Sequence, residues 1–322
     1  MPRRLALDQW ELVLAATLIA VIAVNLVLSP FYLGVDNLVN LFELSIEKVI
    51  VVVVMSFVII NGEIDLSVAS IMGFAAAVIA VLNAAGLPLV LAILVALGAG
   101  AGFGFLQGWF VARLGLPSLA VTIAGLIGIR GAASILIEDR SVGGFPEWFT
   151  TLGQEPILGP LPFSVILFTI GIVAAGIVLH RTAFGRTVFV IGNNAAVARF
   201  SGIDVARTKL VLFTASGLVA ALAGILLAAR VGSVRGSLGQ GFELDIVTMV
   251  LLGGVSIFGG KGRLVGVALA VLIVLNLRNG LGLANVGANL QTGIIGALLI
   301  LSVLAPNVIG AFQQRRRGVV PT

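Results

Sequence analysis

Six charged residues fall in or beside long apolar stretches: Glu63, Asp65, Arg130, Glu243, Asp245 and Arg278. A charge in a lipid setting is costly, so it faces a cavity or a partner, or it sits at the interface and ends a helix. Both readings fit these six. A proton-coupled carrier needs an acid buried in mid-span. Glu63 and Asp65 instead sit at a break between apolar runs, and Glu243 and Asp245 at the start of one, so their positions do not predict ion coupling. Other chemistry is missing from the sequence. The single histidine, His180, reads as a cation near a helix C-terminus. There is no cysteine, hence no thiolate ligand, nucleophile or disulfide framework. No cluster of His, Asp and Glu has metal spacing, and there is no Gly-x-Ser-x-Gly elbow. Gly254, Gly259, Gly260 and Lys261 come close to a phosphate-binding loop. An extra glycine displaces the lysine, however, and Gly262 stands where a Ser or Thr would hold magnesium. That segment reads as a glycine-rich turn. A non-catalytic chain with no cofactor or metal of its own is the expectation.

The elements that carry these residues are set by composition. The chain has 322 residues, of which 59% are hydrophobic and 10% charged, with mean hydropathy +1.19. A soluble domain carries about 25% charged residues. Too little polar surface is left to coat a globule, which excludes a soluble enzyme and a disordered chain. The class is an all-α polytopic membrane protein. Ten apolar runs are candidate transmembrane helices: 11–29, 45–61, 65–83, 88–111, 117–137, 162–179, 209–229, 243–258, 264–279 and 290–309. Residues 11–29 are long for a signal peptide and lead into Ser29, Pro30 and Phe31 rather than a cleavage site, so a retained helix is expected. The 41 glycines lie mostly within apolar runs. Gly98, Gly100, Gly102, Gly104 and Gly108 give one span a small-residue ridge for close helix packing.

The net charge of +5 is explained by orientation rather than by nucleic acid. With ten spans and an inside N-terminus, the inner segments hold Arg3, Arg4, Arg113, Arg181, Arg186, Arg199, Arg207, Lys209, Lys261, Arg263 and Arg315 to Arg317. Of the 19 basic residues, only Lys48, Arg130, Arg140, Arg230, Arg235 and Arg278 remain. Both termini are therefore expected in the cytoplasm. Residues 138–161 form an outer, periplasmic loop in which Phe145, Trp148 and Phe149 read as an interfacial aromatic anchor. Residues 180–208 form an inner loop. Within it, Asn193 or Asn194 can N-cap a short helix over 195–201, and Gly202 can end it in the left-handed conformation. Val197 and Phe200 would be exposed unless something covers them. The segment is either an amphipathic connector on the lipid surface or a knob for a partner. Glu63-Ile64-Asp65-Leu66 recurs as Glu243-Leu244-Asp245-Ile246. The two copies open spans three and eight from opposite sides, as a five-plus-five inverted repeat would give.

Four segments, taken in chain order, resemble the ribose/galactose-type permease subunit of bacterial ABC importers. Residues 62–70 are similar to that family's G-G-I-D-L-S-V-G-S. Residues 185–203, with Gly185, Arg186, Ile191, Gly192, Asn194, Ser201 and Gly202, resemble its G-R-x4-I-G-x-N-x2-A-A-x2-S-G-I. Residues 216–224 resemble S-G-x3-A-x-A-G, and 252–262 resemble L-G-G-x-S-x2-G-G-x-G. Together they cover about residues 40–305. Glu63 and Ala69 depart from the first motif, which puts substrate identity in doubt there. Gly143-Gly144-Phe145-Pro146 is similar to the autoinducer-2 and rhamnose branches.

The resemblance implies one transmembrane permease domain over 1–322, of the type II ABC-importer kind, in the bacterial inner membrane. It would move a sugar or sugar-like solute. Its partners would be ABC ATPase subunits that bind ATP and magnesium, a second permease (the same chain or a paralogue) and a periplasmic solute-binding protein. Gly185, Arg186, Gly192, Asn194, Arg199, Ser201 and Gly202 would form the ATPase-coupling element, with a coupling helix over 194–202. For the translocation path the candidates are Asn61, Asp65, Ser67, Gln107, Asn276 and Asn279, polar groups that would otherwise serve as glue between helices. An ion-coupled secondary carrier acting without an ATPase is the alternative. A non-transport scaffold leaves the 180–208 loop and the four ordered motifs unexplained.

Overall fold

The computed structural model describes residues 8–43, 45–138, 140–158 and 161–316. Arg3, Arg4 and Arg317, used above for orientation, lie outside the described residues. Each of the ten apolar runs is built on a helix. They are α1 (Gln9–Leu28), α3 (Ile46–Ile60), α4 (Val68–Ala84), α5 (Leu89–Arg113), α6 (Ser118–Ile137), α8 (Phe163–Arg181), α11 (Val205–Val231), α12 (Phe242–Leu252), α13 (Leu264–Leu283) and α14 (Ala288–Arg316). Four further helices sit between them: α2 (Val35–Glu43), α7 (Glu147–Gln154), α9 (Ala183–Asn193) and α10 (Ala195–Phe200).

Among the described residues, five helices are long and apolar enough to cross a membrane: α1, α5, α6, α11 and α13. A sixth span is obtained if the bent pair α8–α9 counts as one. The others fall short for local reasons. α3 stops at Asn61, where the chain turns through Gly62 into an extended stretch before α4. The run expected over 243–258 is helical only to Leu252, because Gly253 and Gly254 end it, and Gly254 takes a φ of +83° that a side chain rarely adopts.

α11 is the hub, packed against α3, α4 and α5. The glycine ridge explains the closest of these contacts. A Cβ on Gly108 would lie 2.9 Å from the Cβ of Phe213, and one on Gly217 would lie 2.9 Å from the amide nitrogen of Gly104. Gly98 and Gly102 are not part of the seam, since a Cβ on either would meet nothing within 4 Å. With lipid as apolar as leucine, helices associate by this kind of close packing and by polar pairing rather than by the hydrophobic effect.

Ion pairs pin the two ends of the bundle. At one end Arg230 of α11 meets Glu47 of α3 at 2.6 Å. At the other end Lys209 of α11 pairs with Glu63, just past α3. α3 and α11 therefore run antiparallel. Two-residue strands β1 (Val142–Gly143) and β4 (Ser233–Val234) pair at the Arg230 end. β2 (Pro156–Leu158) and β3 (Leu161–Pro162) form a second short ladder. The expected aromatic anchor of the 138–161 loop is only partly one. Phe149 is buried on α7 beside Phe145, whereas Trp148 is half exposed.

Candidate functional site

The 180–208 segment folds into two short helices rather than a loop. α8 ends at Arg181, the chain bends by 70°, and α9 begins. Thr182 N-caps α9 by accepting from the Gly185 amide at 3.2 Å. Gly185 has to be a glycine, since a Cβ there would lie 2.5 Å from the Leu179 carbonyl carbon and from the Val178 oxygen. Asn194 then caps α10, its Oδ1 accepting from the amides of Ala196 and Val197, both at 3.0 Å. Ser201 ends α10, and its hydroxyl donates to the Val197 carbonyl at 3.0 Å. Gly202 follows at φ +78°.

Ala198 is the inner face of α10 and packs with Ile191 of α9 and Val205 of α11. The outer face is apolar and bare: Val197 is 54% exposed and Phe200 93%. Arg186 and Arg199 are exposed, with no side-chain partner among the described residues.

Gly192 mounts this unit on the bundle. A Cβ there would lie 2.6 Å from the Gly260 amide nitrogen and would overlap the Ile60 carbonyl oxygen. That oxygen also accepts from the Gly260 amide at 2.8 Å. The break after α3, the end of α9 and the glycine-rich turn of residues 253–263 thus meet backbone to backbone. Phe258 at the tip of that turn is 82% exposed, at the same end of the bundle as Phe200. Sequence reasoning missed Phe258. Its signal was an aromatic residue directly before Gly259-Gly260-Lys261 in a glycine-rich turn.

The six path candidates separate into two groups. Asp65, Ser67 and Gln107 come together in the core. Ser67 Oγ lies 2.6 Å from Asp65 Oδ1 and 3.0 Å from Gln107 Oε1. The Ser67 amide and the Ser216 hydroxyl also donate to the Asp65 carboxylate, at 3.0 and 2.7 Å. No cation pairs with Asp65 among the described residues. Gln107 Nε2 is buried without a partner and borders an apolar groove between α5 and α6. Asn61 lies nearby, its Nδ2 donating to Val188 of α9 at 3.5 Å. Asn276 and Asn279 are elsewhere, on α13 toward the opposite end. Asn276 accepts from the Tyr32 hydroxyl, and Asn279 exchanges two hydrogen bonds with Asn37 of α2, at 2.8 and 3.1 Å. Asn279 also lines a polar cavity.

Of the six charges that the sequence left open between cavity and interface, all but Asp65 are in ion pairs. Glu63 meets Lys209, Arg130 lies 3.3 Å from Glu243, and Asp245 is held by both Lys48 (3.0 Å) and Arg278 (2.6 Å). The departure of Glu63 from the resembled motif thus has a local cause, since its carboxylate answers a lysine on α11.

A helical bundle with five or six candidate spans, a capped helix at one end and polar groups inside has the make-up of a membrane transport component. The chain belongs to the family described as branched-chain amino acid transport system / permease component, whose model matches residues 37–303. Its relatives include the autoinducer 2 import system permease protein LsrD of Yersinia enterocolitica, 34% identical over 97% of both chains. The protein of the same name from Photorhabdus laumondii is 34% identical over 93% of this chain and 91% of its own. That of Escherichia coli K12 is 36% identical over 95% and 94%. No solved structure matches the chain. The chain is accordingly a non-catalytic permease subunit of an importer, a multi-pass protein of the inner membrane. The family description, a permease component of a transport system, favours a multi-component importer over an independent secondary carrier.

Proposed function

We propose that this permease works in an ATP-driven ABC importer of the type II kind and carries a sugar-like solute inward. Two ABC ATPase subunits, holding ATP and magnesium, would dock under it. A second permease would complete the path within the bilayer, and a periplasmic solute-binding protein would deliver the solute. The relatives that match over more than nine-tenths of the chain are named for autoinducer 2, which favours a sugar-like cargo over the amino acids of the broader family description.

The observation that carries this reading is α10. Its inner face is locked by Ala198, its N-terminus is capped by Asn194, and Phe200 stands bare on its outer face, 93% exposed. A stiff helix with an apolar outer face and a free Arg199 suits a groove on a moving partner. Gly185, Arg186, Gly192, Ser201 and Gly202 hold it in place. Phe258 would extend the same docking surface. Because Gly192 seats the unit on the segments that precede α4 and α13, a push on α10 would pass to those helices as a rigid movement rather than be absorbed by a loop.

Ten spans with cytoplasmic termini remain our reading of the topology, with the shorter helices α3, α4 and α12 crossing in part. The basic residues gathered at the α10 end (Arg186, Arg199, Lys209, Lys261 and Arg263) support a cytoplasmic assignment of that end. The five-plus-five inverted repeat remains our reading: Glu63 pairs with Lys209 and its counterpart Glu243 with Arg130, each a cation from the other half. For the path, Asp65, Ser67 and Gln107 would form its inner part and Asn276 and Asn279 its outer part, with Asn61 beside the coupling unit.

The test is co-purification. The chain is expressed with the ATPase encoded beside it, extracted gently and pulled down. ATPase recovery is expected with the wild type and lost with Gly192→Pro and with Arg199→Glu. Recovery undiminished in both variants would sink the coupling assignment, and no ATPase with the wild type would sink the importer reading.

A further inference from the structure

We propose that the cavity between α2, α3, α13 and α14 is a binding site for a compact polyhydroxylated solute. This rests on the import reading and supplies a site for the cargo. The cavity holds about 540 Å³, within the range of roughly 300–1,000 Å³ common for small-molecule pockets. Four helices and the turn before α3 contribute polar groups to it: Asn40, Ser45, Lys48, Arg278, Asn279 and Gln291.

A polar cavity in an apolar bundle is costly to leave without a role. Simple polar glue between helices would be satisfied internally, and this lining is not. Arg278 uses its terminal nitrogen on both oxygens of Asp245, at 2.6 and 2.8 Å, while its Nε is buried with no hydrogen-bond partner. Lys48 spends one donor on Asp245 at 3.0 Å and rests 4.7 Å from the centre of the Phe242 ring, which leaves further N–H groups unspent. Among the described side chains, two cations thus share one carboxylate. Gln291 donates to the Val286 carbonyl at 2.9 Å, and its own oxygen remains able to accept.

The lining therefore offers mostly donors, with amide acceptors interleaved. A solute with several adjacent hydroxyl or carbonyl oxygens matches that pattern. An apolar or cationic solute would offer no acceptor to the unspent Lys48 N–H groups or to the Arg278 guanidinium. Asn37 and Asn279, bonded to each other on one side of the cavity, can open toward a solute by exchanging one amide–amide pair for two amide–hydroxyl pairs.

The absence of cysteine from the chain makes the test direct. An Asn40→Cys variant is purified into lipid nanodiscs, and its labelling by a water-soluble maleimide is timed. Ser141→Cys, at an exposed position after α6, is the control. D-ribose, L-rhamnose, autoinducer 2 and inorganic phosphate are the probes. Occupancy slows labelling by 1 + [L]/Kd, about tenfold at nine times Kd. At least one of the three hydroxylated probes is expected to slow Asn40→Cys and not the control. Adding Arg278→Lys, which keeps the charge facing Asp245 and removes the Nε donor, is expected to weaken that protection about tenfold.

No slowing by any hydroxylated probe, equal slowing by phosphate, or protection unchanged by Arg278→Lys would overturn the site. ATPase co-purification from the same membranes separates the two claims. ATPase bound without protection overturns the cavity alone, and protection without ATPase supports the cavity while sinking the import reading.

Discussion

Gly192 at the end of α9 and Gly260 in the turn before α13 touch backbone to backbone, so closely that a Cβ on Gly192 would stand 2.6 Å from the Gly260 amide nitrogen. Elements about seventy residues apart are clamped at one point, and the Ile60 carbonyl at the end of α3 shares it through its bond to Gly260. Gly192→Ala must therefore push backbone rather than a flexible side chain. The expected cost is about 1–3 kcal/mol, the range for overpacking a tight core. In a thermal melt of the detergent-solubilised chain, Gly192→Ala should unfold at a clearly lower temperature. Gly202→Ala, with open space around it but φ +78°, should lose only about 1–2 kcal/mol from its left-handed backbone. Equal melting of the two variants would count against the clamp.

The cap of α10 separates helix stiffness from overall fold. Asn194→Ala removes the acceptor for two amides, and a lost N-cap costs about 0.5–2 kcal/mol. The helix is exposed on its outer side, so the loss falls on α10 rather than on the bundle. Expression and melting should stay near wild type while ATPase recovery and transport fall. Asn194→Asp, which restores the acceptor, should recover both. If Asn194→Ala transports like wild type, the stiffness of α10 is not used in coupling.

Glu63 and Lys209 offer a charge test. Both side chains are largely buried, 12% and 16% exposed. Removing one partner leaves the other charge stranded, at about 3–5 kcal/mol for a buried pair. Lys209→Met alone should therefore lower the melting temperature sharply. Glu63→Gly together with Lys209→Met, which restores the glycine of the resembled motif, should return most of the loss. A double variant no better than the single would show that the two residues do not act as a pair.

Asp65 should tolerate Asn far better than Ala. It accepts from two hydroxyls and one amide. In Asp65→Asn the Oδ1 position can still accept from the Ser67 amide and the new NH2 can donate to the Ser216 oxygen. Asp65→Ala strands those donors, at about 1–3 kcal/mol for each unsatisfied buried group. Expression level and melting of the two variants in nanodiscs give the comparison. Asp65→Ala matching Asp65→Asn would mean that the hydrogen bonds contribute little.

Local features were legible in the sequence because short-range chemistry decides them. The apolar runs became helices α1, α3 to α6, α8 and α11 to α14, and composition alone required a membrane setting. The Asn194 cap, the short helix after it and the glycine at 202 followed from capping preferences, which act over three or four residues. The turn at 253–263 was recognisable by its glycines. α2 and α9 were missed because both are short and mixed in polarity, so neither stands out from a loop until its packing surface is known.

Tertiary structure decided the rest, for reasons of distance. That Glu47 meets Arg230, or Asp65 meets Ser216, depends on how α3, α4 and α11 pack, over sequence separations of 183 and 151 residues. No local pattern encodes those pairings. The same packing split the six path candidates into a trio in the core (Asp65, Ser67, Gln107), a pair toward the other end of the bundle (Asn276, Asn279) and Asn61 against α9, made Gly100, Gly104 and Gly108 a seam while leaving Gly98 and Gly102 outside it, and placed Phe258 at the same end as α10. A side chain's type sets which bonds it can make, but in a bundle this poor in charge the positions of its few partners exist only once the helices have met.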